Sequence, residues 1–225
     1  MTTLTLFEGA NLWRLLQGLG VSFGIALLCI ACSIFIGLIV GVMMSARFWV
    51  LRALCKVYLE SVRIIPILAL LYVCYFGLPQ LLDISISNVF VAVLVFSIWG
   101  GAEMADLVRG ALSGIHQHQK DAAFSLGLGW LQVQAFVVLP LASKRLIPGL
   151  INLFTRMIKT TSLLLFIGIA DILQVGRQII EANRQLESAP FVIYGVILLA
   201  YFAMCYPLSR LSRALERRWD SELKG

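Results

Sequence analysis

The chain has 225 residues, of which 60% are hydrophobic and 13% charged, and its mean hydropathy is +0.91. A water-soluble domain is about half apolar and about a quarter charged, so this composition excludes an ordinary soluble domain and makes the bilayer the expected solvent. The formal net charge of +6 does not point to nucleic acid: no Lys/Arg run is interleaved with aromatics, and the cations flank apolar runs, where a membrane chain carries them.

The N-terminus lacks a basic n-region, and the first apolar run is longer than a signal-peptide core, so no cleavable signal is expected. No residue between Arg14 and Arg47 is charged, and a first helical span is expected over 21–44. Within it Gly37 and Gly41 form a GxxxG, which lets two helices approach closely. Cys29 and Cys32 form a CxxC in the same run; like most of Cys55, Cys74 and Cys205 they sit among apolar residues. Without polar access or further ligands they read as small packing residues, so no metal site is expected. Asp83, with Pro79 just before it, separates two further uncharged stretches, which read as a hairpin of spans over 64–82 and 86–107. His116 and His118 follow among glutamines and read as solvated loop residues. A loop over 111–147, holding a short amphipathic helix-turn segment at 121–140, leads to a fourth span over 148–170, apolar but carrying Asn152, Arg156 and Lys159. The last span is expected over 190–209. Beyond it Leu211, Leu215 and Trp219 keep helical spacing beside arginines, the pattern of an interfacial helix.

These runs are too long and continuous for barrel strands, so the expected fold class is an all-α membrane protein of about five helices, read as one domain over 1–225 with no internal repeat. Five spans place the ends on opposite sides. Arg47, Arg52 and Lys56, then Arg109, Lys120, Lys144 and Arg145, then Arg210, Arg213, Arg217, Arg218 and Lys224 fall on one side. The other side has Arg14, and Arg177 and Arg184 balanced by Asp171, Glu181 and Glu187. The positive-inside rule then predicts the N-terminus outside, and the C-terminus and the loop 111–147 in the cytoplasm.

An ionisable side chain at the centre of a span costs roughly 2.5–3.5 kcal/mol on insertion scales, so it marks a partner, a cavity or a pathway. Asn152, Arg156 and Lys159 recur at i, i+4, i+7 and share one helix face, with Ser162 nearly on it. Trp99, Glu103, Asp106 and Gly110 share a face of the third span. Two readings stand side by side. These faces line a transport path, or the charges pair between spans, for example Glu103 or Asp106 with Arg63, Arg156 or Lys159. Thr160, Thr161 and Ser162 either line the same polar cavity or bond carbonyls one turn back and bend the helix.

One stretch, "DAAFSLGLGWLQVQAFVVLP" over 121–140, has definite spacing: Asp121, Ala122, Ala123, Gly127, Val137, Leu139 and Pro140. It resembles the EAA loop of ABC-importer permeases, with Asp121 for the usual Glu and Val137 for the usual Ile. Three other runs extend the resemblance over most of the chain. "LVRGALSGIHQHQKDAA" keeps Arg109, Gly110 and Gln119 of that family's pattern, with His118 where Gly is usual. "KTTSLL" resembles K-D-T-S-L with Thr160 for Asp, and "VRIIPIL" resembles V-R-G-T-P-L with Arg63 and Pro66 kept. Asp106 falls on the family's acidic position, and Glu103 stands where it usually has an aromatic.

The combination resembles the membrane subunit of a polar-amino-acid, binding-protein-dependent ABC importer. It implies a type I ABC importer, MetI-like permease fold in the cell inner membrane. The chain is then a transport subunit and not an enzyme. It has no cofactor of its own, and ATP and magnesium are bound by a partner ATPase; no GxxxxGK[ST] occurs in the chain. The implied partners are a cytoplasmic ATPase dimer, an external substrate-binding protein, a second permease subunit and membrane lipid. Asp121 to Pro140 is the implied ATPase-coupling loop. Ala122 and Ala123 would allow close approach to a partner, Gly127 a sharp turn, Leu128 and Trp130 apolar contact, and Pro140 would end the segment and aim the chain back at the membrane. Arg63, Glu103, Asp106, Asn152, Arg156, Lys159, Thr160, Thr161 and Ser162 are the candidate path residues. Alternatives are a permease for another small polar solute such as an opine or cystine, a membrane enzyme, for which no nucleophile or metal cluster is found, and a stand-alone secondary transporter, against which the lack of a repeat argues.

Overall fold

The computed structural model describes residues 6–45 and 48–224, with the side chains of 220–224 left aside. Arg47 lies outside these residues, as does the side chain of Lys224. The described residues are almost wholly helical and contain no strand. In chain order the helices are α1 (Asn11–Met44), α2 (Trp49–Ile64), α3 (Ile67–Leu82), α4 (Asn88–Ser113), α5 (Gln117–Ser125), α6 (Trp130–Ile167), α7 (Ile172–Ala182) and α8 (Ala189–Lys224). α1, α4, α6 and α8 are each long and apolar enough to cross a bilayer, and α2 with α3 makes a fifth crossing if that bent pair is one span.

The helix ends depart from the sequence expectation for identifiable reasons. The span expected over 64–82 is not one helix from Ile64. A proline disfavours the α conformation in the residue before it, and Ile65 is extended (φ −72°, ψ 126°). The chain therefore breaks at Pro66, and α2 and α3 meet at 98°. The span expected over 148–170 starts far earlier, at Trp130, and ends at Ile167, where Gly168 takes a left-handed φ of 73°. Most of 111–147 is thus helix, more than the short helix-turn segment expected within it. α7, which was not anticipated, is capped by Asp171, whose Oδ1 accepts from the Gln174 N–H at 2.8 Å. Burial pushes the Asp171 carboxyl up to about 6, against the pull of that hydrogen bond.

The chain forms two compact units, one of residues up to 31 with 66–96 and 155–207, the other of 32–65, 97–154 and 208 onward. In the first, Leu15 of α1 packs with Ile172, Val175 and Ile179 of α7 and Ile193 and Ile197 of α8. In the second, the GxxxG of α1 lies directly on α4. A Cβ added at Gly37 would sit 2.3 Å from Met104 Cβ, and one at Gly41 would sit 2.6 Å from Val108 Cβ and 2.9 Å from the Ala105 carbonyl. Leu59 and Val62 of α2 pack on Ala102 and Ala105 of α4, and the Tyr58 hydroxyl donates to the Ile98 carbonyl at 2.6 Å. Ser212 of α8 donates to the Pro148 carbonyl of α6 at 2.9 Å.

Because the obstacles at Gly41 include α4 backbone, Gly41→Leu is expected to push the helices apart and cost about 1–3 kcal/mol. It should lower the thermal unfolding midpoint in detergent, whereas Gly20→Leu, where a Cβ meets nothing within 4 Å, should leave it near wild type.

Candidate functional site

The stretch around 121–140 folds into a helix, a turn and the start of a longer helix. α5 ends in a left-handed residue, Gly127 with φ 80°. The Gly127 N–H donates to the Phe124 carbonyl at 2.9 Å and the Leu128 N–H to the Ala123 carbonyl at 3.3 Å. This is a Schellman cap, whose left-handed position strongly favours glycine. The cap reverses the chain, and the Gly129 N–H then donates to Gln132 Oε1 at 2.8 Å as α6 begins. Ala111, Ile115, Ala123, Val133, Val138 and Ala142 form a local core under this turn, with Leu128 and Val137 against it.

That core corrects the expectation for the two alanines. Ala123 is buried and holds α5 on α6; only Ala122 faces outward. Leu128 and Val137 likewise support the turn from within. The outward surface is carried by Asp121, Ala122, Leu126 and Trp130, with Leu126 82% and Trp130 64% exposed, and by Leu131. Asp121 Oδ1 accepts from Gln117 Nε2 at 2.9 Å within the helix. Pro140 does not end the segment. A proline inside an α-helix loses one hydrogen bond and clashes with the carbonyl four residues back. Here a wide π-turn over Gln134–Val138 precedes Leu139 and Pro140, and α6 continues through them.

Above this turn, in the same unit, a cavity of about 1190 Å³ is lined by the end of α1, one face of α2, the end of α4 and the start of α6. Arg63, in the last turn of α2, reaches α4 with both of its donor edges: Nε stands 3.4 Å from Glu103 Oε1, and Nη1 donates to Asp106 Oδ2 at 3.2 Å. Arg109 closes the set, with Nη2 2.6 Å and Nε 3.1 Å from Asp106 Oδ1. Of the cations named beforehand as partners for Glu103 and Asp106, Arg63 forms pairs with both. The break at Pro66 places it at the C-terminal end of α2, where a cation is favoured by the helix dipole.

On α6, Asn152, Arg156 and Lys159 are exposed along the continuous helix Leu139–Thr160, and Thr160 and Ser162 are half-buried. Two of the hydroxyls bond backward. Thr160 Oγ1 donates to the Arg156 carbonyl at 2.9 Å, and Thr161 Oγ1 donates to the Ile158 carbonyl at 2.7 Å, with the Tyr201 hydroxyl 3.4 Å away. Thr161 is buried, and from it the helix tightens into a 3₁₀ turn over Thr161–Ile167. Among the described residues no three His, Cys, Asp or Glu side chains gather as a metal site.

Sequence reasoning missed Arg52, Lys56 and Lys120 as cavity-lining residues, because α2 was read as a connection between spans and Lys120 as part of a loop. The signal was present: Cys55, Leu59 and Val62 are buried at i, i+4, i+7, and Arg52, Lys56 and Arg63 line up along the flank of that stripe, while Val50, Val57 and Ile64 stand exposed on the opposite side.

Replacing Arg63 by Met leaves two carboxylates without a shared cation, with an expected cost of roughly 1–3 kcal/mol. A double-mutant cycle with Glu103→Gln, read by thermal unfolding, should show a smaller loss than the sum of the two single changes; strict additivity would mean that the pair does not act as a unit.

Comparison with known proteins follows the same lines. The model of the family described as "binding-protein-dependent transport system inner membrane component" matches residues 33–221. The glutamine transport system permease protein GlnP of Escherichia coli K12 is 33% identical over 94% of this chain and 97% of its own length. The arginine transport system permease protein ArtQ of Bacillus subtilis is 28% identical over 92% of this chain and 93% of its own. Among solved structures, an amino acid ABC transporter with histidines superposes with a TM-score of 0.85 at 23% identity, covering 97% of this chain and 99% of that one. The MetNI methionine ABC transporter gives a TM-score of 0.70 at 18% identity.

Proposed function

This chain belongs to the family of binding-protein-dependent transport system inner membrane components, and on that premise we propose that it is the permease subunit of an ATP-driven importer for a polar or charged L-amino acid. Its family is one of multi-pass membrane transport subunits and not of enzymes. Relatives whose names specify glutamine and arginine transport support the amino-acid class.

The observation that carries the reading is the α5–α6 turn. A buried core fixes its shape while Ala122, Leu126 and Trp130 stand outward, a rigid apolar knob with a small residue at its side. Such a knob suits a groove on a soluble partner, and Trp is a frequent interface anchor. The partner is one of two cytoplasmic ATPases, which bind ATP and magnesium in place of this chain. The N-terminus is outside and the C-terminus cytoplasmic, following the cation bias. A second permease, identical or similar, completes the path, and a binding protein delivers substrate from outside. Asn152, Arg156 and Lys159 form a polar outward face on a membrane-crossing helix, which is costly against lipid and favourable against a partner subunit or a wet path. Glu103, Asp106 and Arg63 contribute charges of both signs, which suits a zwitterionic solute. Closure of the ATPases moves the docked turns as rigid bodies, and alternating access follows.

Two measurements in proteoliposomes test the proposal. With ATPase and binding protein present, ATP should drive amino-acid uptake, and the purified chain alone should transport nothing; robust uptake by the chain alone would sink the reading. Gly127→Val forces a β-branched residue into a left-handed conformation, at a cost of about 1–2 kcal/mol, and tilts the knob. It should insert normally yet lose most ATP-dependent uptake, and full uptake in this variant contradicts the coupling role.

A further inference from the structure

We propose that the cavity bordered by α2, α4 and α6 holds the headgroup of an anionic phospholipid on Arg52, Lys56 and Lys120. Its charges are unevenly satisfied. The lining carries five cations and two carboxylates, Glu60 and Asp106. Arg63 and Arg109 are bound up with Asp106, and Arg63 with Glu103 as well. Among the described residues no carboxylate stands within ion-pair distance of Arg52, Lys56 or Lys120. Like charges gathered in a partly enclosed space raise each other's energy, and an anion placed among them removes that cost.

The walls select the kind of anion. Next to the cations stand Val42, Met44 and Leu139, which offer nothing to a free phosphate but accept an acyl chain. Trp49 and Trp130 also line the space, and tryptophan is enriched at headgroup depth in membrane proteins. Arg52 and Lys56 are one turn apart on α2, so both heads reach the same side. A phosphodiester bearing two acyl chains matches this lining of cations beside hydrocarbon. Lys120 belongs to α5 and Trp130 opens α6, so the bound headgroup would touch both elements of the outward knob. An acidic surface of a partner protein would satisfy the cations but leave the apolar wall unused.

Native mass spectrometry of the permease assembled with its ATPase tests this. The complex is extracted from symmetrical phosphatidylcholine bilayers containing a minor fraction of phosphatidylglycerol, so the outcome does not depend on the direction of insertion. Phosphatidylglycerol should be retained in preference to phosphatidylcholine. The triple variant Arg52→Gln/Lys56→Gln/Lys120→Gln should lose at least about tenfold of that preference, since each cation near an anionic lipid contributes a factor of about five. The charge-keeping Arg52→Lys/Lys56→Arg should retain the preference, and so should the tail variant Arg210→Gln/Arg213→Gln. Equal retention of the two lipids by the wild-type complex overturns the proposal, even if the triple variant fails to fold. So does displacement of the lipid by millimolar inorganic phosphate, which would mark a plain phosphate site. A preference shown by the permease alone and lost on assembly with the ATPase also overturns it, and assigns the cations to the partner protein.

Discussion

A backbone amide surrounded by hydrocarbon has no water to bond, so every departure from the α-helix must be satisfied inside the chain. That constraint orders this structure. Several of its departures from regular helix fall at a proline or glycine, and three of them shape the regions described above. Pro66 breaks α2 from α3 and leaves Arg63 at the end of α2, facing Glu103 and Asp106. The π-turn over Gln134–Val138 lets α6 run through Pro140 from the knob into its long crossing. Gly127 closes α5 with two backbone hydrogen bonds and turns the chain at the tip of the knob. A second π-turn, Val73–Gly77, precedes Pro79 in the same manner.

Charge follows the same economy. Glu103 and Asp106 sit on a helix whose other face packs against the GxxxG of α1, so they need a cation close by. Arg63 and Arg109 supply it.

Much of this is legible in the residues. Charge-free runs disclose membrane crossings, and the spacing of Asp121, Ala122, Ala123, Gly127, Leu139 and Pro140 discloses the knob and its family. Gly37 and Gly41 disclose a close helix contact, which α4 supplies. The rest was hidden for physical reasons. Ala122 and Ala123 have the same side chain, and only the packing of α5 on Val133 and Val138 decides which one faces out. Pro140 reads as a helix end because a π-turn has no strong local signature. α2 reads as a connection because Arg52, Lys56, Glu60 and Arg63 interrupt its apolar run, although Val50, Val57 and Ile64 stand exposed opposite the buried stripe of Cys55, Leu59 and Val62. Arg52, Lys56 and Lys120 were visible in the count for orientation, and their convergence on one cavity needed the fold.

The central claim is that the turn between α5 and α6 is where the power-supplying partner docks. Hydrogen–deuterium exchange on the permease in nanodiscs, with and without its ATPase, tests this most directly. The account predicts that binding slows exchange over 117–131 and leaves α7, assigned to the opposite side of the membrane, unchanged. Unchanged exchange over 117–131 together with new protection in α7 would contradict both the docking site and the orientation.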